Sequence, residues 1–231
     1  MVYKKSDKTE IRKDEKRRLI FETAAKVFAE KGYHQTSVKD ITDIAQISVG
    51  TFYLYFKNKE DLFEKLYDEM EQIVKKIEDY AHKKQSKIPS ERFASVVAAS
   101  IWAYKKYREL TKILFIEAVG LNPRFEKKYA DIMARSCDNM EAILKRFKEI
   151  GVVDVPDTKV AAIAYEGAFN HVITYWLRNC DKVDLEAYAY PLVVFSLQAL
   201  KMSFCKEEIE KSIKEMFQEL DDEEVLLTKF I

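Results

Sequence analysis

Apolar residues recur at helical spacing along nearly the whole chain. Ile20, Ala24, Val27 and Phe28 fall at i, i+4, i+7 and i+8, and predict a first helix over about 9–31. Residues 1–8 are polar and are expected to fray. Gly32 sits where a helix-ending C′ residue belongs. A short helix follows from Ser37 to Ala45. Ser37 is its N-cap, and Asp40 three residues on comes close to a capping box. Val38, Ile41 and Ala45 form its inner face. After a break at Gln46-Ile47 a second short helix runs from about Val49 to Tyr55. The polar turn Lys57-Asn58-Lys59 leads into a long helix over about 59–84. There Phe63, Leu66, Met70, Ile73 and Ile77 keep one stripe, over a length of roughly 40 Å. The lysine-rich stretch 82–88, closed by Pro89, ends it.

The second half repeats the pattern, with helices expected at about 90–105, 107–119, 122–150, 157–180, 184–204 and 206–220. Asn122-Pro123 reads as an N-cap followed by proline at N1, Gly151 as a stop, and Pro191 as a kink or restart inside 184–204. The segment from Lys206 is acidic and amphipathic. Neither an internal repeat nor an alternating β pattern is visible. Only 5 Gly and 4 Pro occur in 231 residues, too few for the many tight turns of a sandwich or barrel. The expected fold is all-α. An N-terminal three-helix helix-turn-helix domain, residues 1–60, is joined by the long helix to a larger helical domain, residues 61–231.

Charge adds a direction to this picture. The net charge is zero, yet residues 1–60 carry 13 Lys/Arg against 9 Asp/Glu, and the remainder 26 against 30. A basic end on an acidic body suits a polyanionic partner at that end. Cys137, Cys180 and Cys205 form no CxxC pair or disulfide framework, and with His34, His82 and His171 they make no zinc spacing. No metal or cofactor is expected. The charged start of the chain is unlike a signal peptide, and no apolar run reaches the ~18 residues of a membrane span. A soluble, cytoplasmic protein is expected. The chain has no GxSxG, Walker, GxGxxG or HExxH motif, and the acidic run Asp221-Asp222-Glu223-Glu224 reads as solvated charge, so enzymatic activity is not expected.

The informative stretch is GYHQTSVKDITDIAQISVGTFYLYFKNKEDLF, residues 32–63. Two short helices joined by a tight turn and preceded by a striped helix make a helix-turn-helix. The first short helix must buttress the second, and the second must enter a groove ~12 Å wide. Ser48, Val49, Gly50 and Thr51 are small enough for close approach to phosphates and base edges. Phe52 and Phe56 would face the core. Tyr53 and Tyr55 would point outward with hydroxyls able to donate to phosphate. Lys57 and Lys59 follow at the turn.

The run T-S-V-x-D-I-x-x-x-A-x-x-S-x-G-T-F-Y-x-Y-F-x-N-K-E-D-L-F resembles the DNA-binding domain of the TetR family of bacterial transcriptional regulators, over roughly residues 10–70. It departs from the family pattern at the turn between the short helices, where Gln46-Ile47 replaces the usual glycine. A non-glycine residue there in left-handed conformation costs about 1 kcal/mol. The resemblance implies that Ser37 caps the buttressing helix and can bind phosphate, and that Lys39 reaches backbone or a base edge. It places Ser48, Val49, Gly50, Thr51, Tyr53 and Tyr55 along the recognition helix, with Lys57 and Lys59 near phosphate. Plainer readings stand beside these. Ser37 could be a cap alone, Tyr53 and Tyr55 half-buried packing residues, Lys57 a solvated charge, and Gly50 a point of close helix packing. The recognition helix lacks Arg, Asn and Gln at its exposed positions. Phosphate contacts and DNA shape should then outweigh bidentate base contacts.

For the second domain the resemblance implies a helical unit that binds a small molecule and dimerises. The segment 157–180 is apolar nearly all round, and with 184–204, which carries Leu192, Val193, Phe195, Leu197 and Leu200, it could build a four-helix interface across a two-fold. An ordinary intramolecular core is the alternative. Phe93, Trp102, Phe115, Tyr129, Met133, Phe169 and Trp176 are pocket candidates, with Glu117 and His171 as polar anchors. The stretch 114–129 and the Trp176 region look similar to family members that answer to acyl-CoA or lipophilic compounds. The implied protein is a regulator, by default a repressor, that binds palindromic double-stranded operator DNA as a homodimer and leaves it when a small hydrophobic effector binds. A helical interaction protein whose basic N-terminus binds a protein or an anionic membrane is the alternative.

Overall fold

The computed structural model describes residues 7–83 and 88–222, with side chains from residue 12 on. Lys4, Lys5, Lys8, the lysines of 84–87 and Glu223-Glu224 fall outside the described side chains. Ten α-helices occur among the described residues: α1 (Asp7–Lys31), α2 (Val38–Ile44), α3 (Val49–Tyr53), α4 (Lys59–Lys83), α5 (Pro89–Lys106), α6 (Arg108–Lys112), α7 (Pro123–Glu149), α8 (Thr158–Asn179), α9 (Ala189–Ala199) and α10 (Lys206–Asp222). The all-helical expectation holds, and most boundaries fall within two residues of those read from the sequence.

Two segments differ in kind. The expected helix 107–119 is the single turn α6 followed by a π-helical turn, Ile113–Glu117, in which the Ala118 N–H donates to the Ile113 carbonyl at 3.0 Å. The expected helix 184–204 is a 3₁₀ turn, Leu185–Tyr188, followed by α9. Pro191 lies in the first turn of α9, where its missing N–H has no intrahelical partner to lose, so it starts the helix and does not kink it. Lys201, at φ 54°, ends it.

The chain folds as two compact units. One takes in the chain up to Glu71 together with Glu109–Ala118. Its core gathers Ile20, Ala24, Phe28, Ile41, Phe52, Phe56, Phe63 and Tyr67, all essentially inaccessible. Phe28 packs edge-on to Phe63 with ring centroids 5.2 Å apart, and Tyr33 closes the cluster against both. Such pairs add directional packing to the burial of large rings. Residues 109–118 join this core through Ile113, Leu114 and Phe115, all buried.

Among the described residues the other unit takes in Gln72–Arg108 and the chain from Val119 to Asp222. Its axis is α5, buried along almost every face from Ala94 to Tyr104 and packed against α9 and α10. The alanines of α5 (Ala94, Ala98, Ala99, Ala103) let neighbouring backbones approach closely. α7 and α8 pair along their lengths. Asn122 caps α7 by accepting from the Arg124 and Phe125 N–H groups, and Asp157 caps α8 by accepting from Val160 N–H.

α8 differs from its sequence reading. It is not buried all round: Ala162, Phe169, Ile173, Trp176 and Leu177 face inward, while Val160, Ile163 and Tyr175 are more than half exposed. In α9, Leu192, Val193, Leu197 and the following Leu200 are buried within the fold, and Phe195 alone of that set is exposed, at 59%. The sequence shows that a face is apolar but not what covers it.

Candidate nucleic-acid interface

The helix-turn-helix is set by its caps. Ser37 caps α2 in a complete capping box. Its Oγ accepts from Asp40 N–H at 3.1 Å, and Asp40 Oδ2 accepts from Ser37 N–H at 2.8 Å. Asp40 also receives the Ser37 hydroxyl and the Lys31 ammonium. These donors, the Ser37 hydroxyl first, hold its carboxyl well below the usual carboxylate range. Ser48 caps α3, accepting from Thr51 N–H at 3.1 Å, and its Oγ lies 2.9 Å from the Thr51 hydroxyl. The turn between the helices passes through Gln46 at φ 54°. The left-handed conformation is present without glycine, as expected.

Burial then sorts α3. Phe52 and Phe56 are inaccessible and pack together in the core, 5.6 Å apart. Ser48, Val49, Gly50 and Tyr53 are exposed, and Thr51 and Tyr55 half-exposed. A Cβ on Gly50 would meet nothing nearer than Ser48 Oγ at 3.7 Å. Gly50 therefore serves no packing within the chain, and the backbone there is open to an outside partner. Leu54, beside Tyr53, is 81% exposed, and Ile44 at the end of α2 is 58% exposed. Sequence reasoning passed over both. Their signal was apolar character off the core stripe, which suits contact with thymine methyl groups.

The lysines divide. Lys39 is exposed and paired to Asp43 at 2.9 Å, which raises its pKa. Lys57 is exposed; its backbone N–H donates to Asp61 at 2.9 Å. Lys59 turns inward. Its ammonium donates to the Tyr33 carbonyl at 2.8 Å and the Thr36 carbonyl at 2.7 Å, and lies 4.1 Å from the Tyr33 ring centroid. Burial lowers its pKa. Two donor positions are thereby spent on the α1–α2 connection, a bracing role that the residue pattern did not distinguish from phosphate binding.

The pocket candidates scatter. Phe115 and Glu117 belong to the first unit. Glu117 accepts the Tyr33 N–H at 3.3 Å. Trp102 points to α10, its indole N–H donating to Asp221 at 2.7 Å. His171 is exposed on α8. Trp176 borders a surface cleft of about 490 Å³ with Lys105, Arg108 and Cys180. The remaining four come together in the second unit. Phe93 and Phe169 both flank Tyr165, at 5.3 and 6.2 Å, and Tyr104 lies 6.0 Å from Phe169. Met133 Sδ accepts from Asn170 at 3.2 Å, and Tyr129 is half-buried on the same helix as Met133.

Two acids stand in this aromatic setting. Glu78 on α4 is partly buried and accepts from Ser100 Oγ at 2.8 Å. Burial pushes its carboxyl up to about 7, with Glu166 and Asp79 adding like charge. Glu166 on α8 is also raised by burial, eased by a hydrogen bond to Ser136. Tyr104 and Tyr165 are held well above the usual phenol value by burial and by these two acids. Sequence reasoning missed the pair. The available signal was Glu166 as the single acid in the apolar run 160–170.

A buttressed, exposed recognition helix on a small basic-ended domain, followed by a larger helical unit, defines a helix-turn-helix protein with a second, larger helical domain. Residues 20–66 match the family model for bacterial regulatory proteins of the tetR family. The fatty acid metabolism regulator protein of Bacillus subtilis is 29% identical over 170 residues, 73% of this chain and 87% of that protein. The transcriptional regulator AcrR of Shigella flexneri is 26% identical over 201 residues, covering 83% and 92%. Among solved structures, the fatty acid degradation regulator FadR of Bacillus halodurans superposes with a TM-score of 0.70 at 27% identity, covering 81% of this chain and 97% of that one. FadR of Bacillus subtilis in complex with stearoyl-CoA superposes at 0.67 with 26% identity, covering 79% and 98%. Residues 20–66 thus match a tetR-type DNA-binding domain, and the chain is similar over most of its length to transcriptional regulators. Among the described residues no helix is long and apolar enough to cross a membrane.

Proposed function

We propose that the protein is a dimeric repressor that binds a palindromic operator and is released by a small hydrophobic effector. The observation that carries the DNA half is the sorting of α3. Phe52 is locked into the core while Ser48, Val49, Gly50 and Tyr53 present an exposed outer side. Two such helices related by a two-fold read successive major grooves about 34 Å apart.

The effector half rests on the aromatic group of the second unit, Phe93, Tyr104, Tyr165 and Phe169 with Tyr129 and Met133. Methionine and aromatic walls suit a lipophilic chain. A fatty acyl thioester suits side chains of this kind, and the B. subtilis relative is solved with stearoyl-CoA. Release from the operator needs the effector to bind the DNA-free state better by a few kcal/mol.

A genome-fragment binding selection at physiological salt tests the first half. One enriched palindrome is expected, and no enrichment over bulk DNA would sink the operator reading. Titration of the bound complex with stearoyl-CoA, with free CoA as control, tests the second. Release by the acyl form alone is expected. Release by neither compound would exclude acyl-CoA as the effector.

A further inference from the structure

The family model begins at residue 20, and so does the buried part of α1. The helix itself starts at Asp7, and every described side chain from Arg12 to Leu19 is exposed. The described residues from Arg12 to Leu19, about two turns of α1, therefore lie outside the domain core. At the helical period of 3.6, Lys13, Lys16 and Arg17 continue the stripe of Ile20, Ala24 and Val27 toward the N-terminus, and Asp14 and Glu15 fall away from it. The face that is apolar inside the core becomes cationic outside it. Arg18 lies off this face and is paired to Glu22 at 2.7 Å.

Charge gives that face a partner. Residues 19–60 carry five Lys/Arg against five Asp/Glu, so the helix-turn-helix proper is neutral. Three of the five cations are held internally: Lys31 by Asp40, Lys39 by Asp43, and Lys59 by the Tyr33 and Thr36 carbonyls. The whole excess of positive charge in residues 1–60 lies in the first 18 positions, with eight Lys/Arg against four Asp/Glu. Duplex DNA holds proteins largely through phosphate contacts that release counterions. A neutral reading head supplies little of that attraction, and the overhanging helix supplies it in excess.

We propose that the N-terminal extension of α1 is a second DNA-contacting element, in which Lys13, Lys16 and Arg17 bind duplex phosphates without regard to sequence. This rests on the reading of the helix-turn-helix as a DNA binder. It assigns affinity and salt dependence to α1, and sequence preference to α3.

The test compares the full chain with the triple variant Lys13→Gln, Lys16→Gln, Arg17→Gln on two duplexes, the selected operator and a scramble of equal length. The slope of log affinity against log salt should fall by about 0.9 for each phosphate no longer neutralised. Raising salt from about 50 to about 200 mM should then weaken the variant about 40-fold less than the wild type. The loss of affinity should be equal on both duplexes, leaving the preference for operator unchanged. The charge-conserving variant Lys13→Arg, Lys16→Arg, Arg17→Lys should keep the wild-type slope, which separates charge from any change in folding. An unchanged slope in the Gln variant overturns the proposal, as does a loss confined to the operator. If vesicles of phosphatidylglycerol and phosphatidylcholine bind wild type but not the variant while the DNA slope stays fixed, the face serves a lipid surface and the proposal falls. A wild type that binds both duplexes alike, with a slope still lowered in the variant, supports the extension while removing the operator reading.

Discussion

The carboxylate of Glu117 accepts the backbone N–H of Tyr33 at 3.3 Å, 84 positions away in sequence. Beside this bond lies Gly32, at φ 81°, whose missing Cβ would sit 3.2 Å from Glu117 Oε2. The end of α1 is thus closed by a residue from the π-helical turn, and Lys112, just before that turn, donates to the Ala29 carbonyl. A helix C-terminus leaves carbonyls unsatisfied, and this segment supplies a donor to one of them. Glycine is required twice over, by the left-handed backbone and by the carboxylate packed against it.

Gly32→Ala should therefore cost more than the backbone conformation alone. The left-handed conformation accounts for about 1–2 kcal/mol, and displacement of Glu117 adds the loss of its hydrogen bond, about 1 kcal/mol. Glu117→Ala should show only the second cost. Thermal unfolding of both variants and of the double variant checks this. A double variant that loses as much as the two singles summed would show that the two residues act independently, contrary to the geometry.

The two lysines at the start of α4 should separate cleanly. Lys59→Ala removes donors from two carbonyls and should cost about 1–3 kcal/mol of stability. Lys57→Ala leaves stability unchanged within about 0.5 kcal/mol and lowers the salt slope of DNA binding by about 0.9, one phosphate contact. Chemical denaturation and a salt titration read the two effects. Equal stability losses would contradict the bracing role of Lys59.

How far the sequence was readable follows from which residues answer to local rules. The capping box at Ser37, the left-handed Gln46 and the inward Phe52 and Phe56 all obey short-range rules of capping, turn geometry and periodicity, and the structure has them where those rules put them. Lys59 and Glu117 answer to partners 23 to 84 positions away, which no periodicity encodes. Glu78 was hidden for a related reason. It lies next to Ile77 at the edge of the α4 stripe, and only the approach of α5 and α8 makes it interior. Trp102 shows the converse: an aromatic on an apolar stripe whose ring nitrogen finds a polar partner on α10.

On α8, Val160, Ile163, Ala164, Gly167, His171 and Tyr175 form one exposed stripe at i, i+3, i+4, i+7, i+11 and i+15. On α9, Pro191 and Phe195 are exposed at i, i+4. A largely apolar stripe of this length suits an isologous interface. Ile163→Glu with Phe195→Glu should convert a dimer to a monomer in sedimentation at micromolar concentration, with helical content unchanged. Operator affinity should then fall steeply, because each half-site is bound alone. A variant that still sediments as a dimer would place the interface elsewhere.

Glu78 makes stability depend on pH in a stated direction. Burial raises its carboxyl from 4.5 to about 7, so the folded state keeps a proton that the unfolded chain has already released. The Ser100 hydroxyl lies 2.8 Å from Glu78 Oε1 and 3.1 Å from the Val96 carbonyl, and it has one proton for two acceptors. With Glu78 protonated, the carboxyl donates to Ser100 and Ser100 to Val96, and all three are satisfied. With Glu78 ionised, the charges that act on it are those of Glu166 and Asp79, both of its own sign. The contribution of Glu78 to stability is therefore complete below about pH 4.5 and is withdrawn as pH rises to about 7, on the order of 3 kcal/mol in all. Glu78→Gln keeps the hydrogen bonds without the titrating proton and should flatten that part of the curve, leaving the variant more stable than wild type at about pH 8. Urea unfolding of both proteins across this range measures it. A wild-type curve that rises through the same window would show that Glu78 is ionised in the folded protein and that its burial is offset by a partner.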